Sequence, residues 1–287
     1  MRYAFYPGCS LESTAHEYET SLRAVGEQVD VEFVQPRGWI CCGSSAAHAT
    51  SRLLATALPL KNLALVRQAG FDEVVVPCAA CFSRFRTAQH ECAAEPAFAA
   101  KAWEAAGVEP VNNVKVSHPL ELFNSGEPAK SVQRHVKKDL SKLKVVCYYG
   151  CLLTRPAKVM QFDNCEYPML MDTLLRSVGV PTLDWSYKTD CCGAALALTR
   201  TDVVLRLVKE LLENALAVGA EALAVACPLC HANLDMRQTQ VNQKFQTTFA
   251  LPIFYFTQLM GLALGLEPKA LGLQKHLVNP MSLVDKL

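Results

Sequence analysis

The stretch WICCGSSAA (Trp39–Ala47) returns as TDCCGAALA (Thr189–Ala197), and this pair of Cys-Cys-Gly motifs decides the architecture. Upstream, FYPGCSLES (Phe5–Ser13) returns as YYGCLLTRP (Tyr148–Pro156), aligned on Gly8-Cys9 and Gly150-Cys151. Downstream, EVVVPCAACFSR (Glu73–Arg84) returns as ALAVACPLCHAN (Ala222–Asn233). Three matches in one order make the chain a duplicated module. The expected division is residues 1–130 and 131–287, with the polar, Lys-rich Ser125–Ser141 as the linker.

Working outward from these motifs, strands and helices alternate in each copy. Tyr3–Tyr6 reads as a strand entering the Gly-Cys turn, and Leu11–Gln28 as a helix capped by Ser13. Val31–Val34 and the apolar Val74–Val76 read as strands, with the helix Ser51–Gln68 between them. The second copy offers strand Lys144–Tyr149, helices Pro168–Ser177 and Asp202–Val218, and strand Ala222–Ala226. This alternation predicts an α/β fold of two pseudo-symmetric, Rossmann-like modules with short parallel sheets. The cysteines then fall at strand ends, where such sheets gather functional groups.

Composition removes several function classes. Lys plus Arg is 28 against 27 acids, so no basic field is available for nucleic acid. The N-terminal MRYAFYPGCSLEST has too short an apolar run for a signal peptide, which points to a reducing cytoplasm. Thirteen cysteines is an odd number, so a complete disulfide framework is excluded. Phe245–Leu266 carries no charge, but Pro252, its Gln and its Thr residues interrupt it; a buried strand and helix is expected there, not a membrane span.

Each copy supplies five cysteines in register: Cys9, Cys41, Cys42, Cys78 and Cys81, then Cys151, Cys191, Cys192, Cys227 and Cys230. Adjacent side chains of an extended strand point to opposite faces, so each Cys-Cys pair needs a turn, which Gly43 and Gly193 permit. Each C-x-x-C opens a helix, where free N–H groups and the dipole favour thiolate. Structural zinc takes four ligands, and adjacent cysteines fit its tetrahedron poorly. Five thiols per copy therefore favour iron–sulfur, with zinc and dithiol–disulfide chemistry left open by spacing alone.

The two CCG motifs, with YPGC or YYGC upstream and C-x-x-C downstream, resemble the B-type subunit of heterodisulfide reductase and its relatives. The resemblance runs the length of the chain, including CPLCHANLDMR (Cys227–Arg237) and GLALGLEPKALGLQKH (Gly261–His276). It implies two [4Fe–4S] clusters of non-cubane shape. One would be held by Cys9, Cys41, Cys42, Cys78 and Cys81, the other by Cys151, Cys191, Cys192, Cys227 and Cys230. The implied activity is two-electron reduction or formation of a disulfide, on a small molecule or a protein-bound lipoate-type sulfur. With no GxGxxG and no ferredoxin-type cysteine run, electrons must come from partners, a ferredoxin-like iron–sulfur subunit and a flavin-containing one. The competing function is electron transfer in a complex oxidising a 2-hydroxy acid or succinate, where CCG modules also occur.

The remaining candidates carry structural expectations. Cys147 aligns with Phe5 and is expected in the core; Cys92 and Cys165 have no repeat mates and read as bystanders. Cys227–His231 spells the haem-attachment C-x-x-C-H, but the repeat has Phe82 in place of the His, so His231 is expected in a structural polar contact. His118 reads as a helix-cap neighbour, and His48, Arg52 and Arg200 as solvated or packing groups.

Overall fold

A computed structural model describes residues 1–111 and 113–287. The first sheet consists of β1 (Arg2–Phe5), β2 (Glu32–Val34), β3 (Glu73–Val75) and β4 (Lys115–Ser117), in the order β2-β1-β3-β4. The second consists of β5 (Val145–Tyr148), β6 (Thr182–Leu183), β7 (Ala222–Val225) and β8 (Ile253–Tyr255), in the equivalent order β6-β5-β7-β8. All pairings are parallel, for example Phe5 with Val75 and Tyr148 with Val225. Helices cover both sheets, so the inner strands β5 and β7 are buried along their whole length.

The strand order reverses between β1 and β3, and between β5 and β7, so a crevice opens at the carboxyl ends of each central pair. Cys9 and Cys78 leave that edge of the first sheet, and Cys151 and Cys227 that of the second.

Some elements depart from their sequence reading. Leu11–Gln28 is two helices, Gly8–Leu11 and His16–Gln28. Ser13 caps neither; its hydroxyl donates to the Cys9 carbonyl at 2.6 Å, closing the turn that carries this thiol. The segment expected as a linker forms a helix, Gly126–Arg134, which buries Pro128, Ser131 and Val132. Its charges lie outward while its apolar stripe packs down, as expected of a surface helix.

Phe245–Leu266 yields β8 and the helix Phe256–Ala263, whose residues are all buried. Among the described residues no helix is long and apolar enough to cross a membrane. The two modules share one continuous core. Across their boundary Tyr255 stacks on Tyr18, and within the second module on His231, both at 4.2 Å between ring centroids. Such contacts contribute about 0.5–1.5 kcal/mol each beyond the area buried. Ser21 and Thr257 share a hydrogen bond at 2.7 Å beside them.

Candidate metal centres at the module boundary

Each five-cysteine set is assembled from three turns. In the first turn Gly8 and Gly150 adopt φ of +64° and +69°, which is strained for any other residue. A Cβ on Gly8 would lie 3.1 Å from the Cys81 Sγ, and one on Gly150 3.0 Å from the Cys230 Sγ. The glycines thus leave room for sulfur and bring Cys9 and Cys151 to the crevice.

In the second turn the Gly43 N–H points to the Cys41 Sγ at 3.4 Å and the Gly193 N–H to the Cys191 Sγ at 3.3 Å. Each CCG therefore curls back on its first cysteine, and the second cysteine turns inward: Cys42 and Cys192 are buried while Cys41 and Cys191 are exposed.

The third turn makes Cys78 and Cys227 the N-caps of helices Ala79–Ala94 and Pro228–Met236, with Pro228 at the first helical position. Cys81 and Cys230 follow one turn later on the same face.

The thiols meet in pairs. Cys42 and Cys81 are 3.1 Å apart, Cys192 and Cys230 3.7 Å, and Cys151 and Cys191 3.8 Å. Within each pair the shared contact lowers one thiol and raises the other. Cys42 is lowered to about 7 by Cys81, Cys191 to about 6 by Cys151, and Cys192 is lowered by Cys230. Cys81, Cys230 and Cys151 are raised in turn by those neighbours.

Cys78 and Cys227 interact with each other across the module boundary, which raises Cys78; Cys227 is lowered, first by Cys230 and then by Cys78. The two sets therefore lie side by side, each with buried inner thiols and outer thiols toward solvent. Among the described residues no three His, Cys, Asp or Glu side chains are arranged to hold a single metal ion. An all-thiol donor set in a glycine-cleared crevice suits iron–sulfur groups better than hard cations.

The remaining cysteines stay apart from these sets. Cys147 is fully buried in β5, Cys92 lies in the helix Ala79–Ala94, and Cys165 sits beside Glu166 in a loop. His231 serves a backbone contact, its Nε2 meeting the Ile253 carbonyl at 3.0 Å. Arg52 pairs with Glu91 and Glu95, and Arg200 with Asp202, while His48 is exposed.

Sequence reasoning missed the residues that brace the turns. Tyr6 and Tyr148, repeat mates, donate their hydroxyls to the carbonyls of Ile40 at 2.8 Å and Asp190 at 2.6 Å, each just ahead of a Cys-Cys pair. The repeat itself was the available signal, since both copies carry Tyr two residues before the Gly-Cys. The rims also differ. Ser10, Ala46, His48 and Ala80 in the first copy are replaced by exposed Leu152, Leu196, Leu198 and Leu229 in the second. Leu229, Ala194, Met236 and Arg237 border a cleft of about 340 Å³ there.

Comparison with known proteins agrees with this geometry. The cysteine-rich domain CCG matches twice, over residues 3–86 and 145–235. The chain is 27% identical over 281 residues to an 8-methylmenaquinol:fumarate reductase membrane anchor subunit from Wolinella succinogenes, covering 98% of each. It is 26% identical to the B-type subunit of a ferredoxin/F(420)H(2)-dependent CoB-CoM heterodisulfide reductase from Methanosarcina acetivorans, covering 100% of this chain and 97% of that one.

A hypothetical protein from Helicobacter pylori shares the fold, with a TM-score of 0.79 at 11% identity over 97% of this chain. This chain spans about half of that one, 52% of its length. Two matched domains, two equivalent sheets and two equivalent cysteine sets lead to one assignment: the chain belongs to the cysteine-rich CCG domain family, as a duplicated member.

Proposed function

We propose that the chain is the iron–sulfur subunit of an oxidoreductase complex of heterodisulfide reductase type. Cys9, Cys41, Cys42, Cys78 and Cys81 would hold one non-cubane [4Fe–4S] group, and Cys151, Cys191, Cys192, Cys227 and Cys230 the second. The observation that carries this reading is the closeness of the two C-x-x-C pairs: the carbonyls of Pro77 and Ala226, which immediately precede Cys78 and Cys227, both lie within 3.1 Å of the His118 Nε2.

The reaction is R–S–S–R′ plus two electrons and two protons giving two thiols, or its reverse. Bound groups of this kind supply electrons singly, so two of them match the demand of one disulfide. The chain's own part is to hold and orient. The buried inner thiols and the aromatic packing of Tyr6 and Tyr148 keep water from the inner side. The exposed outer turns at Cys9, Cys41 and Cys191 leave an approach for substrate.

Electrons would reach the site from a ferredoxin-like subunit served by a flavin-containing one, in the reducing cytoplasm that an odd count of thirteen cysteines suits. The substrate class includes low-molecular-weight disulfides and lipoate-type sulfur. A second reading is electron transfer in a succinate- or 2-hydroxy-acid-oxidising complex; the full-length likeness to the Wolinella fumarate reductase subunit favours the fumarate–succinate couple.

The test is anaerobic purification, metal analysis, and turnover of a panel of disulfides with a one-electron dye, against fumarate and 2-hydroxy acids. About eight irons per chain and turnover of a disulfide are expected. Zinc in place of iron sinks the cluster assignment, and full turnover with NADH or free flavin by the isolated chain sinks the need for partners.

A further inference from the structure

Between the two thiol sets lie side chains that belong to neither; the Tyr18 hydroxyl donates to the Ala226 carbonyl at 3.4 Å, and His118 reaches both sets. His118 is fully buried, 0% exposed, at the start of the helix Pro119–Phe123 directly after β4. Its Nδ1 accepts the Leu120 N–H at 3.2 Å, so the ring proton is on Nε2. That single N–H faces two carbonyls, Pro77 at 3.0 Å and Ala226 at 3.1 Å. Pro77 immediately precedes Cys78 and Ala226 immediately precedes Cys227.

One bifurcated donor therefore ties the base of the first module's C-x-x-C to the base of the second's. Phe82 and Phe162 hold the ring edge-on, each at 5.9 Å between centroids.

This bridge breaks the pseudo-symmetry. The repeat mate of His118 is Tyr255, which also caps a helix and whose N–H is also taken by the side chain three residues on, Gln258 against Glu121. Tyr255 does not span the two pairs; it stacks between Tyr18 and His231. A general interface filler would have no reason to place its one polar hydrogen on the two carbonyls that precede cluster-set cysteines.

We propose that His118 is a positioning residue that fixes the separation of the two five-cysteine sites by holding both C-x-x-C pairs to one donor. The proposal rests on the reading of the two sets as metal sites. It goes further in assigning to His118 the contact that reaches the base of both pairs. Burial keeps the ring neutral, with its pKa lowered to about 4, so the donor persists at neutral pH.

The experiment is dipolar pulsed EPR on the full, iron-loaded chain, poised with both centres paramagnetic, alongside iron content and urea melts. His118→Phe keeps the aromatic packing and loses the N–H; His118→Asn keeps polarity and is too short to reach both carbonyls; His118→Gln restores an N–H near the Nε2 position. The expected result is full iron in all three variants. The inter-centre distance distribution should be narrow in the wild type and His118→Gln, and broadened or displaced in His118→Phe and His118→Asn.

Unchanged distributions in the Phe and Asn variants overturn the proposal. So does failure of both to fold, which would make the residue a folding determinant. A wild-type chain that binds no iron under anaerobic conditions instead defeats the metal-site reading beneath it, so the two failures are told apart.

Discussion

In the first module the Cys41-Cys42 turn hangs from Asn62, which accepts the Ile40 N–H at 2.9 Å and donates to the Ile40 carbonyl at 3.0 Å. In the second the support comes from the other side: Asn233, on the C-x-x-C helix, donates to the Cys192 carbonyl at 3.0 Å, and Arg237 holds Asn233 in turn. The Gly-Cys turns differ as well. Pro7 stiffens the first, whereas in the second the Lys188 carbonyl accepts from Tyr149 and Gly150 at 2.8 and 3.2 Å. The Lys188 ammonium is fully buried on Asp172 at 2.8 Å, and the Tyr149 hydroxyl donates to the same carboxylate at 2.7 Å. The lesson is that duplication preserved where the sulfurs sit while letting the brace around each turn be rebuilt from different residues.

The largest effect that would break this comparison is loss of a centre. Cys42→Ser and Cys192→Ser should each remove about four irons per chain and leave the other set loaded, as read by iron analysis. Loss of all iron from either variant would mean the sets are not independent.

Next in size is the second module's buried ion pair. Lys188→Met strands a buried carboxylate and should cost about 3–5 kcal/mol in a urea titration. Lys188→Met/Asp172→Leu should recover most of it, because the charge pair itself contributes little net stability. No single exchange at the matching Gly38 region of the first module has this consequence, since no buried ion pair stands there among the described residues.

A smaller effect sharpens the contrast between His118 and Tyr255. Unfolded histidine titrates near 6.5, folded His118 near 4. Between those values the unfolded chain binds the extra proton, so stability is lost as pH falls from 6.5 toward 4 and is flat above. His118→Gln should lessen that slope by up to about 1.4 kcal/mol per pH unit. Tyr255→Phe should leave the His118 contribution in place, because its hydroxyl does not titrate there. The smallest is Cys147→Ala, at the position aligned with Phe5, which should cost on the order of 1 kcal/mol and no iron; iron loss would show that the alignment of the second copy is shifted.

Periodicity of three cysteine turns made the duplication, the parallel sheets and both thiol sets legible from residues alone. What was not legible depended on contacts distant in sequence. Tyr6 and Tyr148 announce nothing locally, and their function appears only where a hydroxyl meets a carbonyl more than thirty residues away. Ser13 resembles a cap because its side chain suits one, but the Cys9 carbonyl competes for it. Ser125–Ser141 reads as polar because a helix with one narrow apolar stripe is mostly polar by count. His118 reads locally only as a helix-cap neighbour, because its two carbonyls come from opposite halves of the chain.

Because the helix Gly126–Arg134 and its flanks join β4 to β5, the meeting of the modules is an event within one molecule. A short tether presents each half to the other at an effective concentration of roughly millimolar. A boundary resting partly on polar contacts, His118 to two carbonyls and Ser21 to Thr257, can therefore stay closed at any cellular dilution. The tether also fixes stoichiometry. Each polypeptide brings one rim with Ser10 and His48 and one with Leu152 and Leu198, never two alike, so a substrate or partner always meets an unlike pair in one fixed order.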